Sequence, residues 1–198
     1  HGVSLEMAAR TLRYEWFDSL RKELNADAVA VAHHLDDDAE TVLLNLIRGT
    51  GLRGLCGIPP QREGIVRPLL DASREDILKY LESRGQDYVT DSSNSDTHFT
   101  RNKIRHEVLP LLHSMNSHIS DGLHRMAQRL RRSAELCDSV VNRFRREHVT
   151  SLPDGERILL ADLFAFPVPE LFLEMWLSEY GFSRTQSEAL LTGRVGML

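Results

Sequence analysis

The residues best suited to chemistry lie in the stretch His33–Glu40, which reads HHLDDDAE. Asp37 and Glu40 are one helical turn apart, so a helix would present both carboxylates on one face. Paired carboxylates bind a cation, either Mg²⁺ or the ammonium group of a substrate, through charge-assisted hydrogen bonds. Acidic residues also cap helix N-termini, and one aspartate in that role is expected. Three aspartates, a glutamate and two histidines exceed what a cap requires, so the stretch predicts a cation-binding site.

A metal centre is the alternative for the same stretch. Zinc needs at least three protein ligands, and no further ligand cluster lies at a recognisable spacing. His33 and His34, as neighbours on a strand, would also point in different directions. A site made for a metal alone is therefore the less favoured interpretation, and Asp36 is the residue we assign to a metal ion such as Mg²⁺.

Two further polar clusters could hold phosphate. Arg48 and Gly49 open the glycine-rich sequence RGTGLRG, although glycine also ends helices and this pattern alone favours a helix C-cap. Downstream, DSSN at 91–94 is followed by TRNKIRH, in which Arg101 and Arg105 could engage phosphates. The alternative there is a capped helix facing solvent, and without other information that alternative would prevail.

The hydrophobic pattern predicts the elements that position these side chains. Ala28–His33 is a short apolar run typical of a buried strand. The aspartates then begin an amphipathic helix that ends at a turn of Arg48 and Gly49, and its apolar positions at helical spacing are Val42, Leu43, Leu46 and Ile47. Ligands in open α/β sheets bind beyond the carboxyl ends of strands, which is where the histidines and aspartates fall. Elsewhere the sequence predicts a helix at 4–24, an extended segment at 65–70, a helix at 73–85, a brief strand from 88, and a helix at 100–112 that breaks near Pro110.

The sequence changes character near residue 113. Residues 118–148 are predicted as one or two long helices, 151–155 as a turn, 158–161 as a short strand, and 169–180 and 184–191 as helices. We therefore predict an α/β domain at 1–113 and a mostly helical domain at 114–198.

Composition is that of an ordinary globular protein, with 41% hydrophobic and 27% charged residues. No apolar run approaches the roughly 20 residues of a membrane span, and the first residues do not resemble a signal peptide. Cys56 and Cys137 lie far apart and outside any CxxC motif, as expected for reduced thiols in the cytoplasm. The net charge of −5 argues against a generally basic nucleic-acid binder. Basic residues nevertheless outnumber acidic ones between Arg101 and Arg146, so that segment could contact phosphates or form a solvated helix surface.

Four motifs occur together and in a specific order: SLEMAARTLRYEWF, AHHLDDDAETVLLNLIRGTGLRGL, RPLLDASREDILKYL and DSSNSDTHFTRNKIRHEVLPLL. This combination resembles the tRNA(Ile)-lysidine synthetases, which belong to the PP-loop (N-type) ATP pyrophosphatases. The resemblance covers Ser4 to about Leu112, and the helical remainder looks like the first C-terminal region of that family. It implies part of a parallel-sheet PP-loop domain, adenine nucleotide α-hydrolase-like, followed by a mostly helical domain.

The resemblance also implies a reaction and its participants. ATP, with Mg²⁺, would activate C2 of the wobble cytidine in tRNA(Ile) with a CAU anticodon, and pyrophosphate would leave. The ε-amine of free lysine would then displace AMP to give lysidine. Basic residues of the later helices would touch the tRNA backbone.

Individual roles follow from the same resemblance. Asp37 and Glu40 would bind the ammonium groups of lysine, and His33 would act at the nucleotide or the reacting centre. Arg48 and Arg105 would meet phosphate charge near the transition state. The residues expected at nucleotide or tRNA phosphates are Arg48, Gly49, Arg101 and Arg105.

One motif of that family does not occur in this sequence. Its ATP loop, SGGxDS, precedes the matching region, and a triphosphate needs such a glycine-rich cradle of backbone N–H groups. We therefore expect an N-terminally truncated synthetase that does not bind ATP productively by itself. Truncation would also leave the Ala28 strand with an unpaired edge, which is a template for a homodimer.

Two alternatives stay open. Another tRNA-modifying PP-loop enzyme, such as a 2-thiocytidine synthetase, would need cysteine pairs for an iron–sulfur cluster, which Cys56 and Cys137 cannot supply. A non-catalytic RNA-binding module, formed by the region after residue 113, would bind tRNA in a salt-dependent way without any dependence on lysine or ATP.

Overall fold

The computed structural model of this chain describes residues 5–89, 100–191 and 193. The chain divides into two compact units, His1–Arg131 and Arg132–Leu198. The domain boundary predicted near residue 113 therefore lies inside the first unit. None of the helices in the described ranges combines the length and apolar content that a membrane span requires.

The first unit contains most of the predicted elements. In chain order they are α1 (Leu5–Glu23), β1 (Val29–Ala30), α2 (Leu35–Ile47), a 3₁₀ turn (Gly54–Cys56), β2 (Gln61–Arg62), β3 (Ile65–Val66), α3 (Arg74–Ser83), α4 (Thr100–Lys103), a π-type turn (Ile104–Val108), α5 (Leu109–Met115) and the start of α6 (Ile119–His148). Tyr88 and Val89 carry no regular structure, and the rest of the brief strand predicted there lies outside the described residues.

A three-stranded sheet in the order β1–β3–β2 positions the site. β1 and β3 run parallel, with Val29 opposite Ile65, and the N–H of Val31 extends the ladder to the Val66 carbonyl at 3.0 Å. β2 and β3 form an antiparallel hairpin. Its tight turn has positive φ at Glu63 and Gly64, as a two-residue hairpin loop requires. The expected parallel sheet is thus represented by one parallel pair, and the strand predicted at Ala28–His33 forms a shorter ladder than expected.

Helix α2 packs one face into the core of the first unit. Ala39 and Leu43 are buried there against Ile104 and Leu109. The sequence pattern placed Leu46 and Ile47 on the same apolar face, but they are 56% and 62% exposed. The last turn of α2 therefore extends past the elements that cover its beginning. The helical period of α1 is also confirmed, although Leu12 and Trp16 on it and Leu24 just after its end are exposed.

The segment predicted as a helix with a break near Pro110 is helical from Thr100 to Met115. Its irregularity is the π-type turn at Ile104–Val108, just before Pro110, which sits in the first turn of α5. Proline has no N–H to donate, so a widened turn before it removes the conflict with helical hydrogen bonding.

The second unit contains the end of α6, a hairpin of β4 (Val149–Leu152) and β5 (Gly155–Ile158), α7 (Leu160–Ala165), α8 (Pro169–Ser178) and α9 (Arg184–Leu191). The predicted turn at 151–155 contains the tip of this hairpin. The strand predicted at 158–161 is wrong, because Ile158 ends β5 and α7 begins at Leu160. The core is aromatic: Phe144, Phe166 and Trp176 lie with ring centroids 5.0, 5.5 and 5.5 Å from that of Phe172.

Candidate active site

The acidic stretch begins α2, as its sequence predicts. His34 is the residue before the first helical turn, and its backbone N–H donates to Asp37 Oδ2 at 3.1 Å. Asp37 is therefore the aspartate that caps the helix start, and it uses one carboxylate oxygen to do so. Its other oxygen remains available to a different partner.

Asp37 and Glu40 share a face of α2 and meet two arginines from the segment after residue 100. Arg101 donates from Nε to Glu40 Oε2 at 2.9 Å, and its Nη2 lies 3.5 Å from Asp37 Oδ1. Arg105 donates from Nε to Glu40 Oε1 at 2.5 Å and from Nη2 to Asp37 Oδ1 at 3.2 Å. The fold thus joins four residues from two distant motifs in one cluster of two carboxylates and two guanidinium groups.

Burial differs sharply within this cluster. The Glu40 side chain is 1% exposed, whereas that of Asp37 is 15% exposed. The hydrogen bond to Glu40, together with the charges of Glu40 and Asp37, raises the pKa of Arg105 above its ordinary value. Arg105 is therefore a permanent cation, and Asp37 offers the more accessible carboxylate to a ligand.

A cleft of about 1180 Å³ lies beside this cluster, within the first unit. Of the predicted site residues, His33, Arg48 and Arg101 line the cleft. Asp37 and Glu40 do not line it, but both contact Arg101, which does. The other charged residues of its lining are Glu15, Asp18, Arg21, Lys22, Arg62, Glu63 and Arg67.

The acidic residues of the cleft wall are largely neutralised by their neighbours. Asp18 lies 3.0 Å from Arg21 and 2.6 Å from Lys22, and the hydrogen bonds from Lys22 and then Arg21 lower the pKa of Asp18. Glu63 pairs with Arg62 at 3.0 Å. The cleft therefore presents more positive than negative charge to a ligand, which favours an anion.

Other predicted residues have structural contacts. Gly49 has φ +69° and follows α2, where its N–H bonds to the Leu46 carbonyl at 3.0 Å, as in a helix C-cap. Asp36 accepts hydrogen bonds from the Ser120 hydroxyl at 3.0 Å and the Arg74 N–H at 2.9 Å. The polar motif at 91–94 lies outside the described residues. Within the described ranges, no group of three or more His, Cys, Asp or Glu side chains could hold a metal ion, and the role of Asp36 as a metal ligand stays a prediction.

From the sequence, Asp38 has no predicted role beyond a helix cap, yet its side chain is fully buried. Its carboxylate accepts hydrogen bonds from the Ile58 N–H at 2.5 Å and from Nδ1 of His124 at 2.6 Å, and Nε2 of His124 lies 2.9 Å from Asp71. Gly57 approaches the same carboxylate so closely that a Cβ there would lie 2.3 Å from it. The sequence signal for a further role of Asp38 was that the stretch contains more acidic residues than a helix cap requires.

Three side chains from different elements hold the loop 56–60 that forms one wall of the cleft. Asp38 binds the Ile58 N–H, Arg67 donates to the Pro59 carbonyl at 2.7 Å, and Arg131 donates to the Ile58 carbonyl at 2.8 Å. The loop backbone is thereby fixed at both N–H and C=O groups, so this wall of the cleft is preformed.

Comparison with known proteins identifies a family for this chain. A family model described as a PP-loop domain matches residues 1–112. A tRNA(Ile)-lysidine synthase from Parabacteroides distasonis is 47% identical over 199 residues, covering 99% of this chain and 45% of that protein. One from Porphyromonas gingivalis is 46% identical over 192 residues, covering 96% and 41%, and one from Geobacter sulfurreducens is 41% identical over 162 residues, covering 81% and 34%. The chain thus spans less than half the length of these curated relatives.

Proposed function

We propose, from the premise that this chain belongs to the PP-loop family, that it is part of a tRNA(Ile)-lysidine synthetase. The reaction joins free lysine to C2 of the wobble cytidine in tRNA(Ile) with a CAU anticodon. ATP first adenylates the cytidine at its C2 oxygen, and pyrophosphate leaves. The ε-amine of lysine then attacks C2, AMP leaves with that oxygen, and the amine loses a proton.

The observation that carries this proposal is the cluster of Asp37, Glu40, Arg101 and Arg105 beside a cationic cleft. Lysine has ammonium groups that need carboxylates, and the activated cytidine carries phosphate that needs cations. We assign the lysine ammonium groups to Asp37, with Glu40 behind it, because Asp37 is the more exposed of the two.

We assign the arginines of the site and His33 to the nucleotide. Arg48 and Arg101 line the cleft, and Arg105 donates a hydrogen bond to Asp37. A phosphate bound by these arginines and an ammonium group bound by Asp37 would therefore lie within one site. We propose Arg48, Arg101, Arg105 and the backbone at Gly49 for phosphate contact. His33, at the end of the β1 ladder and in the cleft wall, would act at the nucleotide or the reacting centre.

The domain assignment remains part of the proposal. Residues 1–113 would form the PP-loop part without an SGGxDS sequence, and residues 114–198 a helical part whose arginines contact the tRNA backbone. ATP is the expected nucleotide. Mg²⁺ normally binds through substrate phosphates and one or two carboxylates. The described residues form no metal cluster of their own, so the phosphates of the nucleotide would supply most of the ligands of such an ion. A cytoplasmic location and a homodimer stay predictions.

The test is lysine incorporation into a tRNA(Ile) transcript by the complete product of the gene that encodes this chain. Asp37→Asn should reduce incorporation at least about 10-fold through a higher KM for lysine, because a charge-assisted hydrogen bond is lost. Asp121→Asn is the control, because Asp121 lies in the first turn of α6 with a side chain that is 47% exposed, and it should change the KM for lysine little. Salt-dependent tRNA binding with no lysine incorporation would instead favour an RNA-binding module.

A further inference from the structure

Arg67 is a buried cation in the wall of the cleft and has no part in the function proposed above. It follows β3 directly, is 7% exposed and lines the cleft. Its Nη1 donates to the Pro59 carbonyl at 2.7 Å. Within the described ranges nothing accepts a hydrogen bond from its Nε, and no carboxylate there forms an ion pair with it.

A buried guanidinium without a counter-charge is costly, because desolvation disfavours the charged form. Arg101 and Arg105 meet this cost with carboxylates, because they share Glu40 and Asp37. Among the residues that the structure describes, the Arg67 guanidinium has only the Pro59 carbonyl as a partner. Its unused edge, formed by Nε and Nη2, is the edge that binds the two oxygens of a carboxylate or phosphate side by side.

The surroundings of Arg67 suit an anion. In the parallel ladder the Val66 carbonyl accepts a hydrogen bond from the Val31 N–H. Arg67 is the residue after Val66, and His33 is two residues after Val31. Arg67 and His33 thus leave neighbouring strands at the same edge of the sheet, and both line the cleft. Arg48 and Arg101 line it as well, while two acids of the lining, Asp18 and Glu63, already have partners.

We propose that Arg67 binds an oxyanion of a substrate in this cleft, through the Nε–Nη2 edge of its guanidinium. The oxyanion is either a phosphate of the nucleotide or the carboxylate of the amino acid, which share this chemistry. The choice of these two sources rests on the proposed function. The contact to Pro59 gives the guanidinium its orientation and joins the bound anion to the fixed loop.

The experiment is titration calorimetry of the complete gene product, without tRNA, using pyrophosphate with Mg²⁺, L-lysine and lysinamide as probes. Arg67→Ala should weaken binding of one oxyanion about 10- to 100-fold, and Arg67→Lys, which keeps the charge without the fork, should weaken it less. Arg62→Ala is the matched control, because Arg62 lines the same cleft with a 69% exposed side chain and pairs with Glu63. Its effect should stay within about twofold.

The probes separate the two sources. Weaker pyrophosphate binding assigns the phosphate, whereas weaker lysine binding with unchanged lysinamide binding assigns the carboxylate. The proposal is overturned if the wild-type protein binds neither pyrophosphate nor lysine, or if both Arg67 variants bind them normally and lose only thermal stability. If Arg67→Ala does not fold, Arg67→Lys decides alone. If the protein binds pyrophosphate through Arg67 but forms no lysidine, the proposed function is wrong and the Arg67 site is still supported.

Discussion

Nδ1 of His124 lies 2.6 Å from Oδ2 of Asp38, and both side chains are buried. His124 belongs to α6 and Asp38 to α2, so this pair fastens the two helices to each other within the first unit. Asp38 also binds the Ile58 N–H, and therefore the same carboxylate holds the wall of the cleft. Asp38, the last of the three consecutive aspartates, is thus a structural anchor, while its neighbour Asp37 faces the arginine cluster.

We expect His124→Ala to destabilise the first unit by about 3 kcal/mol, because it leaves a buried carboxylate with one hydrogen bond fewer and no side-chain partner on α6. Urea unfolding followed by circular dichroism measures this change. His118→Ala is the control on the residue just before α6, since its side chain is 81% exposed, and it should cost less than about 0.5 kcal/mol. Equal stabilities of the two variants would contradict the anchor role.

Gly57 should not tolerate a side chain. It has φ +64°, and an added Cβ would lie 2.3 Å from Asp38 Oδ1, so Gly57→Ala combines backbone strain with a clash against a buried group. We expect a loss of about 2–4 kcal/mol in unfolding free energy. Gly49→Ala is the comparison without a clash, because Gly49 has φ +69° but nothing within 4 Å of the added Cβ. It should cost only about 1 kcal/mol, and a Gly57 variant no worse than the Gly49 variant would rule out the clash.

Glu40→Gln should lower stability by about 2–3 kcal/mol, because it removes the buried counter-charge of Arg101 and Arg105. Since those arginines would then repel each other beside Asp37, lysine incorporation should fall as well. Thermal unfolding and the lysine assay measure the two effects. Glu107→Gln, at an exposed glutamate whose partner Lys103 is 3.9 Å away, should change neither. Unchanged stability of Glu40→Gln would show that the arginines do not depend on this carboxylate.

The stability of the second unit should depend on pH through Glu156. Its carboxylate accepts hydrogen bonds from Trp176 at 2.7 Å, Tyr180 at 2.9 Å and Arg145 at 2.9 Å. These bonds, with that from Trp176 the strongest, lower the pKa of Glu156 below its ordinary 4.5. A lowered folded-state pKa contributes stability that is fully present above pH 4.5 and is lost as pH falls through the lowered value.

The measurement for this prediction is the melting temperature from pH 3 to 7, followed by tryptophan fluorescence in a Trp16→Phe background so that Trp176 reports. Glu156→Gln should flatten the decline below pH 4.5. Glu147→Gln, at an exposed position on α6, is the control and should keep the wild-type profile. If Glu156→Gln keeps the wild-type slope, the network does not supply the pH dependence.

The agreement between sequence and structure is uneven for physical reasons. For α1, α2 and α9 the sequence predicts most of the helix ends to within two residues, because helical period and capping residues are local signals. The hairpin β4–β5 was read as a turn and a misplaced strand, because its strands are four residues each and alternate too briefly to be recognised. The exposure of Leu46 and Ile47 depends on where neighbouring elements end, which no local pattern contains.

The sequence by itself determined the family, the helical start at the acidic stretch, and the set of carboxylates and arginines that could do chemistry. It could not distribute roles among Asp36, Asp37 and Asp38, since consecutive helical residues point roughly 100° apart and only packing decides what each one meets. The tertiary structure placed Asp36 against Ser120, Asp37 against Arg105 and Asp38 against His124. It also revealed that the Nε atom of Arg67 is buried without a hydrogen-bond partner among the described residues, because burial and contacts are properties of the folded chain.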